Sequence, residues 1–156
     1  MMMLMKLAEA LILRADHQKR AEQLKGRIVN NAKVQEGDAP SEDPNRLLQE
    51  LDDLSSGLTD LIQRINKTNS ETEYTGGKTL TDALAERDIL ALRRRIYSEL
   101  AKAASVTQTR FSRSEVKFRS TVDIVSIQRQ VDGMSKAYRE MDAQIQALNW
   151  ATDLIE

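Results

Sequence analysis

The stretch DIVSIQRQVDGMSKAYREMDAQIQALNWATDLI, residues 123–155, decides the fold. Taken in steps of three and four it gives Ile124, Ile127, Val131, Met134, Tyr138, Met141, Ile145, Leu148, Thr152 and Ile155. This is one apolar seam broken only at Thr152, the spacing of an amphipathic helix that packs through coiled-coil positions. A helix from 123 to 155 is about 50 Å long, whereas a compact globule of this chain length is only about 40 Å across. The seam therefore predicts an elongated molecule.

Working back along the chain, three more helices are expected. The first, about 3–28, carries Leu4, Leu7, Leu11, Ala21, Leu24 and Ile28 on a seam that Arg14 and Gln18 interrupt. Such polar positions either fix register against a partner or snorkel to the helix edge. The second, about 44–69, opens on Asp43 as N-cap and Pro44 at the first helical position. Its face is Leu47, Leu51, Leu54, Leu58, Leu61 and Ile65. For the third, about 80–104, Thr79 and Asp82 form a capping-box pattern. Leu80, Leu84, Ile89, Leu92, Ile96, Leu100 and Ala103 are its expected core face.

Two segments break the helical period. Residues 28–35 alternate and read equally as a short strand or as a frayed helix end. Val116, Phe118, Ser120 and Val122 alternate with Lys117, Arg119 and Thr121, the period of a half-buried strand. A small β-hairpin or two-stranded element is expected at about 106–122, with 28–35 as its partner and helix as the fallback. The fold class is thus mainly α. It is an elongated bundle of four long antiparallel coiled-coil-like helices plus that β element, in a single domain over 1–156.

Composition agrees. Hydrophobic residues make up 40% of the chain, charged residues 30% and aromatics 4%, with two Pro, six Gly and no Cys, a helical-bundle profile without disulfide or thiolate chemistry. The apolar start, MMMLMKLAEALILRAD, is interrupted by Lys6 and Glu9 and shows neither a basic leader nor a cleavage site. It is also too short and too charged to span a membrane, which needs about 20 apolar residues. The expected location is cytoplasmic.

No catalytic constellation is legible, and no cofactor or metal is expected. Gly76-Gly77-Lys78-Thr79 resembles the end of a phosphate loop, but position 72 is Thr rather than Gly and no buried strand precedes it. A glycine turn leading to a helix cap explains the same residues. His17 is the sole histidine, with Arg at position 14 where a Glu-x-x-His pair would need Glu.

Charge is better organised. Residues 36–60 hold eight acidic and one basic residue, net −7, and residues 87–119 hold nine basic and three acidic, net +6, within a chain of net charge −1. Arg93, Arg94, Arg95, Arg110, Arg113, Lys117 and Arg119 are the candidate contacts for an anion or an acidic partner. Pairing of the two segments, within or between subunits, is the economical account, with nucleic acid as the rival. Ala143, Ala147, Trp150 and Leu154 form a second apolar line on the last helix, opposite its seam. They face either a second subunit or the chain's own first helix. The expected partner is another copy of the chain, in a homo-oligomer.

Five separated blocks carry a resemblance: KLAEALILRAD (6–16), NNAKVQEGDAPSEDP (30–44), GKTLTDALAERD (77–88), SRSEVKFRSTVD (112–123) and QIQALNW (144–150). Together they resemble the septicolysin-like family of small bacterial proteins, from Met5 to Trp150. The resemblance implies a bacterial helical protein and brings with it a membrane-active or pore-forming alternative. It assigns no catalytic residue. The thiol dependence in that family's label has no cysteine here to carry it. The leading reading is a non-enzymatic, self-associating helical protein.

Overall fold

The computed structural model describes residues 4–105 and 117–156. They form four helices, α1 (Leu7–Asn30), α2 (Pro44–Glu71), α3 (Leu80–Ala104) and α4 (Ile124–Ala151). They group into two compact units, Met1–Glu73 with Leu148–Glu156, and Tyr74–Ala147.

The first unit is built on α1 against α2. Leu7, Ala10, Leu47, Leu61, Ile65 and Leu154 are buried in it. The expected caps form: the Asp43 carboxylate accepts from the Asn45 N–H at 3.0 Å, and Pro44 is the first residue of α2. At the end of α1, the Asn31 side chain donates to the Arg27 carbonyl at 2.8 Å and accepts from the Glu42 N–H at 3.1 Å. Arg27 also donates to Glu42 from Nε at 3.0 Å. That bond holds the Glu42 carboxyl below its usual range and raises the guanidinium's own pKa.

α1 starts later and α4 ends earlier than their apolar periods suggest, because the residues beyond them pair with each other. Lys6 and Asp153 form an isolated antiparallel bridge. The Leu7 N–H donates to the Thr152 carbonyl at 2.8 Å and the Leu154 N–H to the Met5 carbonyl at 2.7 Å. Lys6 Nζ meets Asp153 at 2.8 Å. Farther on, the Ile155 N–H donates to Thr68 Oγ1 at 3.0 Å, and Arg64 Nε donates to the Ile155 carbonyl at 2.9 Å. Thr68 is 1% exposed; its hydroxyl donates to the Arg64 carbonyl at 2.7 Å, so both functions of the buried group are met.

The second unit opens with a tight turn. Tyr74 N–H donates to the Lys78 carbonyl at 2.8 Å and Lys78 N–H to the Thr75 carbonyl at 3.0 Å. Between them Gly76 and Gly77 have φ of 59° and 79°, the left-handed pair of a type I′ turn, which side chains disfavour. The glycines thus make a turn. Lys78 pairs with Glu86.

Thr79 then caps α3. Its hydroxyl accepts from the Asp82 N–H at 3.2 Å, and the Asp82 carboxylate accepts from the Thr79 N–H at 2.9 Å. The backbone hydrogen bond from Thr79 holds the Asp82 carboxyl below its usual value of 3.8. A depressed carboxyl contributes stability that is present above 3.8 and lost as pH falls through its folded-state pKa. Asp82→Ala is expected to lower the melting temperature slightly at pH 7. The difference from the parent should vanish on acidification; a constant offset down to pH 2 would refute this.

The expected β element does not form among the described residues. Residues 28–30 end α1, and 31–35 form no strand; the Asn31 bonds to Arg27 and Glu42 close the helix there instead. Residues 117–122 are also strand-free. Ser120 Oγ donates to the Val122 carbonyl at 2.7 Å and accepts from the Val122 N–H at 3.2 Å, a local turn that competes with sheet pairing. Asp123 next caps α4, accepting from the Ser126 N–H at 3.2 Å. Residues 106–116 of the expected element lie outside the described residues.

Candidate interaction surface

On α3 the apolar residues are divided between two opposite faces. At about 100° per residue, Leu80, Ala83, Arg87, Leu90, Arg94 and Ala101 share one face. Leu80, Ala83 and Ala101 on it are 0%, 0% and 1% exposed. Two arginines of this face engage α4. Arg87 Nη1 donates to Asp142 at 2.9 Å, with 19% of the arginine side chain and 35% of the aspartate exposed. The Arg94 guanidinium lies 5.3 Å from the centre of the Tyr138 ring, within cation–π range. Near the start of the unit, the Tyr74 hydroxyl bonds Gln144.

The other face is the one that sequence reasoning assigned to the core. Ile89, Leu92, Ile96 and Leu100 are spaced three, four and four apart and fall within about 80° of arc. They are 56%, 39%, 52% and 39% exposed, and Ala85 and Ala103 on the same line are exposed too. The expectation of a core face at Leu80, Leu84, Ile89, Leu92, Ile96, Leu100 and Ala103 therefore holds only at its N-terminal end. The reason lies in side-chain size and chemistry. Small Ala83 and Ala101 allow close packing, and Arg87 and Arg94 have partners on α4, so that face turns inward and Ile89, Leu92, Ile96 and Leu100 turn out.

An open groove of about 740 Å³ runs beside Leu92 between α3 and α4. Asp88 and Glu99 line it together with Arg94 and Arg95, so it presents no single sign of charge to a ligand.

Ala143, Ala147 and Trp150 are exposed, Trp150 at 55%, and lie opposite the buried Ile145 on α4. Leu154 is 2% exposed, is tied to Met5, and belongs to the first unit's core. Arg93 reaches within 5.9 Å of the Tyr97 ring centre, and Arg95, Lys117 and Arg119 are exposed. Arg110 and Arg113 lie outside the described residues. In the acidic segment, Glu42 takes Arg27, while Glu50 and Asp60 stand at 4.0 and 3.9 Å from Arg46 and Arg64.

His17 Nδ1 is buried without a hydrogen-bond partner among the described residues, beside an open groove of about 540 Å³ that Glu50 and Asp53 also line. Among the described residues no group of three His, Cys, Asp or Glu is placed to hold a metal ion. Nor is any helix among them long and apolar enough to cross a membrane.

Residues 14–154 match a family of unknown function, DUF6847. The chain belongs to that family. It is similar over 98% of its length, at 46% identity and a TM-score of 0.93, to all of a chain whose crystal structure is described as that of a functionally unknown conserved protein from Corynebacterium diphtheriae. No curated protein matches it. For this DUF6847 protein, the feature that points outward is the aliphatic stripe of α3. Sequence reasoning named those residues and gave them the opposite role, and the signal available to it was the pair of arginines on the other face.

Proposed function

We propose that this DUF6847 protein is a non-enzymatic, cytoplasmic helical protein that associates with copies of itself through the exposed aliphatic stripe of α3. The observation that carries this reading is the arrangement of α3, with arginines turned toward α4 and Ile89, Leu92, Ile96 and Leu100 turned to solvent. A helix apolar on two faces seeks neighbours on both.

Magnitudes set the expected strength. Burying an Ile or Leu fully contributes about 1.5–3 kcal/mol. Four roughly half-exposed side chains on each of two copies then contribute on the order of 6–12 kcal/mol, against an association cost of about 4–15 kcal/mol. Gain and cost are comparable, so association should depend on concentration. Light scattering across the micromolar range is expected to show the mass rising above 17.7 kDa. Ile89→Asp combined with Ile96→Asp should hold it at the monomer value with little change in melting temperature, because both sites are exposed. Trp150→Glu should leave the association intact. A parent protein that stays monomeric at all concentrations, or a double variant that still associates, would sink the proposal.

The resemblance to septicolysin-like proteins supports a second reading, in which the same stripe meets a lipid surface. Release of a trapped dye from liposomes at micromolar protein, abolished by the two Asp substitutions, would favour it. Contact with nucleic acid draws less support, since two cations of the basic segment, Arg87 and Arg94, are engaged by Asp142 and Tyr138.

A further inference from the structure

Both flanks of the α3 stripe are charged, Glu86 standing with Arg93 on one and Arg95 with Asp88 and Glu99 on the other, and the placement of Arg93, Asp88 and Glu99 points to a parallel, in-register pairing of α3 with α3 of a second copy. This inference rests on the self-association reading and adds the orientation. On the helical wheel Arg93 stands on one side of the stripe, while Asp88 and Glu99 stand on the other. All three are exposed.

The two possible two-fold pairings treat these flanks differently. Parallel helices bring opposite flanks together, so Arg93 comes beside Asp88 of the second copy, five positions away. That is the spacing at which charges pair across parallel helices and set their orientation, and two-fold symmetry makes the contact twice. Antiparallel helices centred on the same stripe bring like flanks together. Arg93 then meets Arg93, and Asp88 meets Glu99, contacts that repel. The charges favour one arrangement and oppose the other.

The stripe also suits a straight pairing. From Ile89 to Leu100 and from Leu92 to Ala103 the repeat is 11 residues, or about 3.67 per turn, close to the natural period of the helix. The seam therefore runs along α3 from Ala85 to Ala103 with a drift of only about 20° per 11 residues, opposite in sense to that of a seven-residue repeat.

A chain without cysteine offers a direct test. Ala85 and Ala103 sit on the stripe near its two ends, and Ala85→Cys and Ala103→Cys are introduced separately. In the parallel pair each new thiol faces its own copy, and mild oxidation of either variant alone should give a covalent dimer on a non-reducing gel. In the antiparallel pair the two thiols of the Ala103→Cys variant would lie about 25 Å apart along the helix, far beyond the roughly 4.4–6.8 Å between Cα atoms that a disulfide spans. Crosslinking would then occur only when the two variants are mixed.

Charge exchange supplies the second measurement. Asp88→Arg should raise the dimer dissociation constant about tenfold, and adding Arg93→Asp to the same chain should restore it. Crosslinks confined to the mixture would overturn the parallel arrangement. A dimer by light scattering that crosslinks in none of these samples would place the interface elsewhere and overturn it too. A protein that is monomeric at every concentration would fail the self-association reading itself, and the inference with it.

Discussion

Leu154→Ala is expected to destabilise the first unit by about 2–5 kcal/mol, the range for truncating a buried leucine, and to lower its melting midpoint by roughly 5–15 °C. The side chain is 2% exposed and the backbone on either side of it is held by its neighbours. Its N–H is bound by Met5, the next residue's N–H by Thr68, and the next carbonyl by Arg64. With the backbone fixed, the site has little freedom to collapse around a smaller side chain, which puts the cost toward the upper end. Truncation after Ala151 should cost more, because it also leaves the Thr68 hydroxyl without the Ile155 N–H it accepts. Hydrogen exchange gives the decisive measurement. Amides at the start of α1 and the end of α2 should lose protection in both variants, while those of α3 keep it. Equal loss throughout the chain, or none, would refute the clasp as a local keystone.

That clasp also explains which parts of the fold the sequence could and could not disclose. The starts of α2 and α3 were legible because their signals are local: Asp43 before Pro44, and Thr79 three residues before Asp82. The seam of α4 was legible for the same reason, and Ile124 through Leu148 along it are half-buried or buried. The first and last turns were not. Met5 and Leu154 are far apart in sequence, and their pairing converts residues of good helical period into extended backbone. No periodicity encodes such a contact. The alternation at 28–35 misled because eight residues are too few to separate a strand from a helix end closed by Asn31.

The interaction surface was half legible. Its residues are the strongest apolar line of α3, and any scale of hydrophobicity selects them. What the line could not disclose was its direction, since two alanines and two arginines weigh little as a buried face until their partners are known. Asp142 and Tyr138, about 45 to 55 positions away, supply those partners. The outward line on α4 shows the converse: Ala143, Ala147 and Trp150 do face solvent, while Leu154, in step with them by spacing, leaves the helix and turns into the core.

The two partners of α3's inward face make a second large effect measurable. Asp142→Ala should cost about 1–3 kcal/mol, between the values for exposed and fully buried pairs, because it leaves a guanidinium that is only 19% exposed with Asp88 as its remaining contact. Arg87→Met should cost less, since the Asp142 carboxylate it leaves behind is 35% exposed and regains water, while an apolar chain of similar length fills the guanidinium's place. Thermal melts of the two variants would therefore be unequal, and equal losses would show that the pair contributes net attraction rather than a compensated charge. The same reasoning bears on the stripe. If the arginines fix which face of α3 turns inward, then Arg87→Met together with Arg94→Met gives α3 two apolar faces with nothing to choose between them. A thiol placed by Ile96→Cys, open to labelling in the parent background, should then react more slowly and heterogeneously. Labelling at an unchanged rate would mean that the small residues Ala83 and Ala101 set the rotation of the helix by packing alone.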